Sequence, residues 1–325
     1  MIAQTVARLA GLVPPEQIFI LTNVEHVTAI QAVCPEIPAS QIVGEPMGRD
    51  TAAAAALGAL LVRRRDPEGV LAVLAADAAI HDTNGFQKSL KAAYATAAKN
   101  DFIVTIGVKP TYPATGYGYL HRGEKLGEQD GQPWFRVAKF VEKPDHATAE
   151  RYIVDGNYFW NVGMFMVKAA NFEAAFRKYA PAIATGMTDL DKRLQAGENL
   201  TAALAAVYPT LVKISVDYAV MEKADNVAVF EAAFDWDDVG EWPAIVRHAV
   251  ADAAGNVTRG DVALSEAKGN VVITEQGHLI ALLGVEDLVV VHTPEATLVC
   301  PKSRAQELKK LLQVVAAKPG SDRWL

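Results

Sequence analysis

Phe234-Asp235-Trp236-Asp237-Asp238-Val239-Gly240-Glu241-Trp242 sets four carboxylates among three large aromatic side chains. Aromatic side chains favour burial. Crowded carboxylates resist it, because like charges and desolvation both disfavour their ionised form. A cation bound to one or two of them removes the conflict. The plain alternative is an acidic turn beside a core strand, and the segment alone leaves both readings open.

Other residues of chemical interest stand at the ends of apolar runs. Asp77 follows Val70-Leu71-Ala72-Val73-Leu74 and so lies just past a strand end. It reads as a turn or cap residue, or as a magnesium ligand. Magnesium takes one or two carboxylates and fills its octahedron with water and substrate phosphates. One aspartate of residues 235–238 would complete the pair. Phe140-Val141-Glu142-Lys143-Pro144 ends a β run at a proline, which presents a carboxylate and an ammonium at the tip. That tip is either a solvated strand end or an acid for sugar hydroxyls beside a point cation for phosphate. Thr115-Gly116-Tyr117-Gly118-Tyr119 interleaves glycine and aromatics. Glycine there lets the backbone approach a ligand, or serves a turn. In Trp160-Asn161-Val162-Gly163-Met164-Phe165 the Asn161 amide can donate to and accept from a hydroxyl pair; packing is the alternative. Ile214 to Lys223 reads as a helix opened by Ser215 or Asp217, and Asp217 stands at its start, where a carboxylate is stabilised anyway. A cap is its plain reading and a sugar contact its second.

The elements that must position these residues follow from periodicity. Ile18–Leu21, Gln41–Val43, Val70–Leu74 and Phe102–Ile106 are short apolar runs expected to be strands buried on both faces. Between them, Glu25–Val33, Thr51–Arg65 and Asn84–Lys99 keep a helical period. This alternation predicts an α/β, Rossmann-like domain with a mostly parallel sheet and ligands at the carboxyl ends of its strands. Glu45, Asp77 and Lys109 fall on that edge. Strands at Arg136–Val141, Gly163–Val167 and Val227–Phe230, with helices at His146–Val154, Asn171–Tyr179 and near Ala202, extend the same domain over residues 1–248. Residues 249–325 change character. Short strands separated by Gly, Asn and Asp turns predict a small β-solenoid or sandwich. Ser303-Arg304-Ala305-Gln306 reads as a capping box opening a final helix to about Ala316. Met1 to Leu9 already reads as an amphipathic helix, so the chain is expected to begin inside one.

The 325 residues are 51% hydrophobic and 21% charged, with a formal net charge of -7. That balance argues against a general affinity for nucleic acid or anionic membrane. Two distant cysteines, Cys34 and Cys300, fit a reducing cytoplasm and suggest neither a disulfide framework nor a zinc site. No apolar run reaches membrane-spanning length, and no signal peptide is expected.

Taken in order, seven segments resemble the bacterial mannose-1-phosphate guanylyltransferases of the sugar-nucleotidyltransferase superfamily. They are Glu45 to Ala52, Leu74 to Asp77, Pro113 to Tyr119, Phe140 to Asp145, Trp160 to Phe165, Ser215 to Lys223 and Trp236 to Trp242. The resemblance implies that GTP and α-mannose 1-phosphate give GDP-mannose and pyrophosphate, with Mg2+. It implies Asp77 and Asp238 as the metal pair and Lys143 on the sugar phosphate. Glu142, Asn161 and the Gly116 backbone would read mannose, with Asp217 a further sugar contact. Glu45, Arg49 and Thr51 would approach the nucleotide. In-line attack by an already ionised phosphate needs positioning and charge neutralisation, not a triad. Apolar faces in the C-terminal β region offer a homodimer surface.

The chain departs from that pattern. Ala75 and Ala78 stand where proline and histidine are usual around the metal aspartate, Asp50 replaces an asparagine, and Asp237 replaces a small polar residue. A glycine-rich, arginine-bearing phosphate loop and the strand before it are expected upstream of Met1. The expectation is therefore an impaired, truncated or mis-started guanylyltransferase whose sheet carries a gap. The alternatives are a non-catalytic, sugar-nucleotide-binding regulatory paralogue, or a nucleotidyltransferase for another hexose 1-phosphate.

Overall fold

The computed structural model describes residues 1–239 and 249–324. Gly240, Glu241 and Trp242 of the acidic aromatic segment, and residue 248 at the expected domain boundary, lie outside the described residues. The chain divides into two compact units, Met1–Trp236 and Asp237–Leu325.

The first unit opens with helix α1 (Ile2–Arg8), as the spacing of Ile2, Val6 and Leu9 predicts. There follow β1 (Ile20–Asn23), α2 (Val27–Val33), β2 (Ile42–Glu45), α3 (Asp50–Arg65), β3 (Val70–Val73) and the two-residue strand β4 (Ala78–Ala79). Next come α4 (Thr83–Lys99), β5 (Ile103–Val108), β6 (Gly118–Gln129), β7 (Gln132–Glu142), α5 (His146–Asp155) and β8 (Tyr158–Lys168). Helices α6 (Ala169–Tyr179), α7 (Pro181–Gln195) and α8 (Leu200–Val207) precede β9 (Val227–Glu231). Helix starts are chemically marked. Asp82, Asp145 and Asn199 each accept a first-turn backbone N–H, from Gly85, Thr148 and Ala202. Pro181 opens α7, where its missing N–H costs nothing.

The α/β class stands, but the expectation of a mostly parallel sheet is corrected. Among the described residues the main sheet has six strands in the order β3-β8-β5-β9-β7-β6, and only β5 and β9 are parallel neighbours. Strand β8 runs antiparallel between β3 and β5. Alternation of strands and helices fixes the direction of β3, β5 and β9, not which strand fills the space between them. Strands β6 and β7 are joined by Asp130-Gly131, both at positive φ (52° and 74°), a two-residue turn that forces antiparallel neighbours. Strands β1 and β2 form a separate parallel pair.

Helices cover both faces of the main sheet. On one, the alanine-rich α3 packs closely with α6, α7 and α8 around the buried rings of Phe172, Phe176 and Tyr208. On the other, Phe86 and Leu90 of α4 cover Ile106, Met164, Met166 and Phe230. Each such buried side chain contributes roughly 1.5–3 kcal/mol, which holds the strand ends in place.

The second unit begins with β10 (Asp237–Asp238) and contains β11 (Val257–Arg259), β12 (Val262–Ser265), β13 (Val271–Ile273), β14 (Ile280–Leu283), β15 (Leu288–His292), β16 (Thr297–Pro301) and α9 (Leu308–Ala316). Val257, Val271 and Val289 stand in parallel register, as do Val262 and Ile280. That is the solenoid of the two expected alternatives. The buried Asn256 and Asn270 satisfy successive turns. Asn270 donates to Asn256 Oδ1 and the Val285 carbonyl, and accepts the Leu288 N–H. Antiparallel β16 closes one edge. The expected capping box depends on Gln306, whose side chain lies outside the described residues. Residues Lys302–Glu307 make a 3-10 turn ahead of α9, held by Glu307 between Arg304 (2.9 Å) and Lys310 (3.2 Å).

Candidate functional site

Three strands bring the expected sugar-side residues together. Strand β6 pairs Gly118 with Glu142 of β7, and Tyr119 with Trp160 of β8. A Cβ on Gly118 would stand 2.5 Å from the Glu142 carboxylate and 3.3 Å from Asn161 Cβ, so only glycine lets all three meet. A register shift between Thr105 and Gly107, with Gly163 at φ 69°, interrupts the β5–β8 ladder beside Asn161. Such bulges re-aim side chains. Asn161 accepts the Gly163 N–H (3.3 Å) and donates to Asp217 (3.1 Å), which fixes its amide orientation. Lys143 Nζ lies 2.9 Å from the Glu142 carboxylate, whose side chain is only 7% exposed. That contact raises the ammonium's pKa above the ordinary lysine value.

Of the two residues expected to open this helix, Asp217 is not the cap. Ser215 takes that role by accepting the Tyr218 N–H (3.4 Å). Asp217 opens a π-helical turn, Asp217–Met221, and turns its half-buried carboxylate to Asn161. Burial, and then the Glu142 charge, push its pKa up to about 6, with Lys143 and Asn161 pulling it part of the way back. The unfolded carboxyl titrates near 3.9. This stabilising contribution is therefore complete below about pH 4 and lost as pH rises through about 6. Asp217→Asn is expected to stabilise the protein by ~1–2 kcal/mol at pH 8 and by little at pH 4, allowing for solvent screening. Urea melts at the two pH values check this, and an equal gain at both would contradict it.

A second group of residues fixes the loop around Asp77. Buried Thr5 and Arg8 lie one turn apart on α1. Thr5 Oγ1 donates to the Ala76 carbonyl (3.3 Å) and Arg8 Nη2 to the Ala78 carbonyl (3.2 Å), so the exposed Asp77 is pinned on both sides by one helix. Asp235 holds the far end of the loop. It accepts the N–H groups of His81 and Asp82 (2.7 Å) and lies 2.6 Å from His81 Nδ1. Burial works to raise its pKa, but these contacts hold it below the usual carboxylate range. Phe234 packs edge-on to Phe86, and Trp236 to Tyr117, beside Trp160. Phe234 is thus core and Trp236 partly buried among aromatic rings, while Asp235 is a loop pin. Asp238 stands on β10 of the second unit. Among the described residues, no three His, Cys, Asp or Glu side chains gather as a ready metal cage. As single carboxylates, Asp77 of the first unit and Asp238 of the second are each of the donor type that a hard divalent cation takes, with water and phosphate completing its shell.

The three expected nucleotide residues form a further group held by internal contacts. Arg49 donates to the carbonyls of Tyr208 (2.9 Å) and Pro209 (2.7 Å). Thr51 Oγ1 accepts the Val216 N–H (2.9 Å), one residue from Asp217. Burial raises the pKa of Glu45, and the adjacent Tyr208 hydroxyl draws it partly back. Asp50 sits at φ 62°, in the left-handed region that asparagine and aspartate both tolerate, so this backbone accommodates the aspartate found where the resemblance expects asparagine.

Residues 1–255 match the family model described as Nucleotidyl transferase. The chain belongs to the nucleotidyl transferase family. Residues 260–314 of this nucleotidyl transferase match a second model, the MannoseP isomerase/GMP-like beta-helix domain. It is 37% identical over 324 residues to a mannose-1-phosphate guanylyltransferase of Escherichia coli (strain K12), covering 98% of this chain and 66% of that protein. The chain thus spans about two thirds of the length of such curated relatives. Among solved structures, one described as a mannose-1-phosphate geranyltransferase from Thermus thermophilus superimposes with a TM-score of 0.80 at 36% identity, covering 97% of this chain and 88% of that one. A mannose-6-phosphate isomerase from Helicobacter pylori gives 0.60 at 26% identity, over 73% and 90%.

Three features of this nucleotidyl transferase escaped the sequence reading. Gly118, not Gly116, is the glycine on which Glu142 packs; a Cβ on Gly116 meets nothing within 4 Å. Its place opposite Glu142 follows from strand pairing, which residue types do not announce. Thr5 and Arg8 carry a weak signal, two polar residues on the inner face of an amphipathic helix. Asp235 was legible only as one carboxylate among four.

Proposed function

We propose that this nucleotidyl transferase joins GTP and α-D-mannose 1-phosphate to form GDP-mannose and diphosphate. The observation that carries the reading is the meeting of Glu142 and Asn161 at Gly118, with Lys143 on the Glu142 carboxylate and Asp217 on the Asn161 amide, in segments that resemble the guanylyltransferase pattern. In it, Lys143 holds the sugar phosphate as a point cation. Glu142 and Asn161 orient the mannose hydroxyls, with Asp217 and the Gly116 backbone beside them. A sugar-phosphate oxygen attacks the α-phosphorus of GTP, the new P–O bond forms, and diphosphate leaves with the electrons of the broken one. The attacking oxygen is already ionised, so positioning and charge supply the catalysis. Glu45, Arg49 and Thr51 shape the nucleotide approach. Asp77 and Asp238 are read as the carboxylates for a divalent cation, magnesium in this proposal, which when bound neutralises phosphate charge. Exposed Leu279, Leu283 and Val299 support a homodimer, and the two free thiols, Cys34 and Cys300, a cytoplasmic setting.

Calorimetric titration of the purified chain with mannose 1-phosphate and glucose 1-phosphate, paired with turnover of GTP against ATP, tests this. The expected result is preferential binding of mannose 1-phosphate and formation of GDP-mannose. Binding of no hexose 1-phosphate would overturn it. One observation favours a second reading, a regulatory binder: Arg49 and Thr51 are engaged in internal hydrogen bonds. Its signature is GDP-mannose binding without turnover.

A further inference from the structure

Lys143 presents its ammonium from a backbone at φ 48°, the left-handed region that non-glycine residues seldom occupy. Pro144 follows and narrows the conformations open to the residue before it still further. Such a backbone persists only where its surroundings over-determine it. Two hydrogen bonds do so. The Lys143 N–H donates to the Tyr117 carbonyl (3.2 Å), and the Glu142 N–H donates to Glu222 Oε1 (2.9 Å).

Glu222 reaches that N–H because of the π-turn. The turn is closed by the Glu222 N–H on the Asp217 carbonyl, five residues back, at 2.9 Å. In an α-helix, residues five apart point roughly 140° away from one another. The wider turn brings them to the same side, and π-turns of this kind recur at functional sites. One turn therefore sets Asp217 against Asn161 and Glu222 against the Glu142 backbone.

We infer that Glu222 is a positioning residue: its carboxylate clamps the Glu142 N–H and so holds Lys143 in the left-handed backbone that brings the ammonium to the Glu142 carboxylate. Glu222 itself touches no substrate in this scheme. Without the clamp, the Glu142–Lys143 peptide relaxes to an extended backbone and the ammonium swings away from its partner. Only the binding consequence rests on the function proposed above; the backbone consequence does not.

The test compares the Glu222→Ala and Glu222→Gln variants of the whole 325-residue chain by crystal structure, thermal melting and calorimetric titration with mannose 1-phosphate. An amide oxygen accepts the same N–H, so Glu222→Gln should keep φ positive at Lys143 and bind as the parent does. Glu222→Ala should stay folded, move Lys143 to negative φ and weaken mannose 1-phosphate binding by about tenfold, the scale of a lost charge-assisted hydrogen bond. A left-handed Lys143 retained in Glu222→Ala would overturn the inference. So would equal damage in Glu222→Gln, or loss of the fold in Glu222→Ala, which would make Glu222 a stability residue. If the parent protein binds no sugar phosphate, the functional proposal fails, and the Lys143 backbone still decides the clamp.

Discussion

Asp77→Asn and Asp238→Asn should each lower the rate of GDP-mannose formation by about two to three orders of magnitude. The amide keeps the size of the side chain and removes the charge that a hard divalent cation requires. For Asp77 the structure separates this loss from a folding defect. Its side chain is exposed, and the loop beneath it is held by Thr5 and Arg8 through the Ala76 and Ala78 carbonyls. Asp77→Asn should therefore melt with the parent protein. Asp237→Asn is the control at the second position. It removes a neighbouring carboxylate that the proposal leaves without a ligand role, and should cost less than about tenfold. A Mn2+ titration followed by electron paramagnetic resonance, with GDP-mannose present, reads the same effect without turnover. Near-parental rates and Mn2+ affinity in either asparagine variant would remove that residue from the metal pair.

How far the sequence foretold this arrangement differs from element to element. Helices α3 and α4 and strands β3 and β5 were legible because periodicity is a local property. The β6–β7 hairpin was passed over although Asp130-Gly131 marks it, because β6 carries polar residues on its outer half and breaks the alternation of a buried strand. The insertion of β8 between β3 and β5 was not legible, since neighbour choice in a sheet is decided by long-range packing. The same divide runs through the site. Glu142, Lys143, Asn161 and Asp217 were found as residue types at strand ends and turns. What joins them was not: the Gly118 contact, the Gly163 bulge and the π-turn are all properties of pairing and backbone geometry. The acidic aromatic segment shows the limit of reading charge clusters as one object. Asp235 pins the 81–82 backbone and Trp236 joins an aromatic cluster, so adjacent residues of one motif do unlike work.

Lys143→Met should raise the KM for mannose 1-phosphate by about a hundredfold, with kcat changed less. Methionine keeps the unbranched stem and removes the charge that the proposal sets on the sugar phosphate. The same substitution has a second, separable effect. Lys143 is the cation between Glu142, whose side chain is almost wholly buried, and Asp217. Without it two carboxylates face each other in a poorly solvated site, and the Asp217 pKa, already about 6, should climb further. Because a raised carboxyl pKa means stability that fades as pH rises, the variant should lose ~1–2 kcal/mol at pH 8 and little at pH 5, where Asp217 takes up a proton. Adding Asp217→Asn removes one of the opposed charges. The double variant should recover its stability at pH 8 while its KM stays high. Urea melts at both pH values and initial rates over a mannose 1-phosphate series distinguish the two roles. Recovery of affinity along with stability would show that Lys143 serves only to balance charge, and would take it off the sugar phosphate.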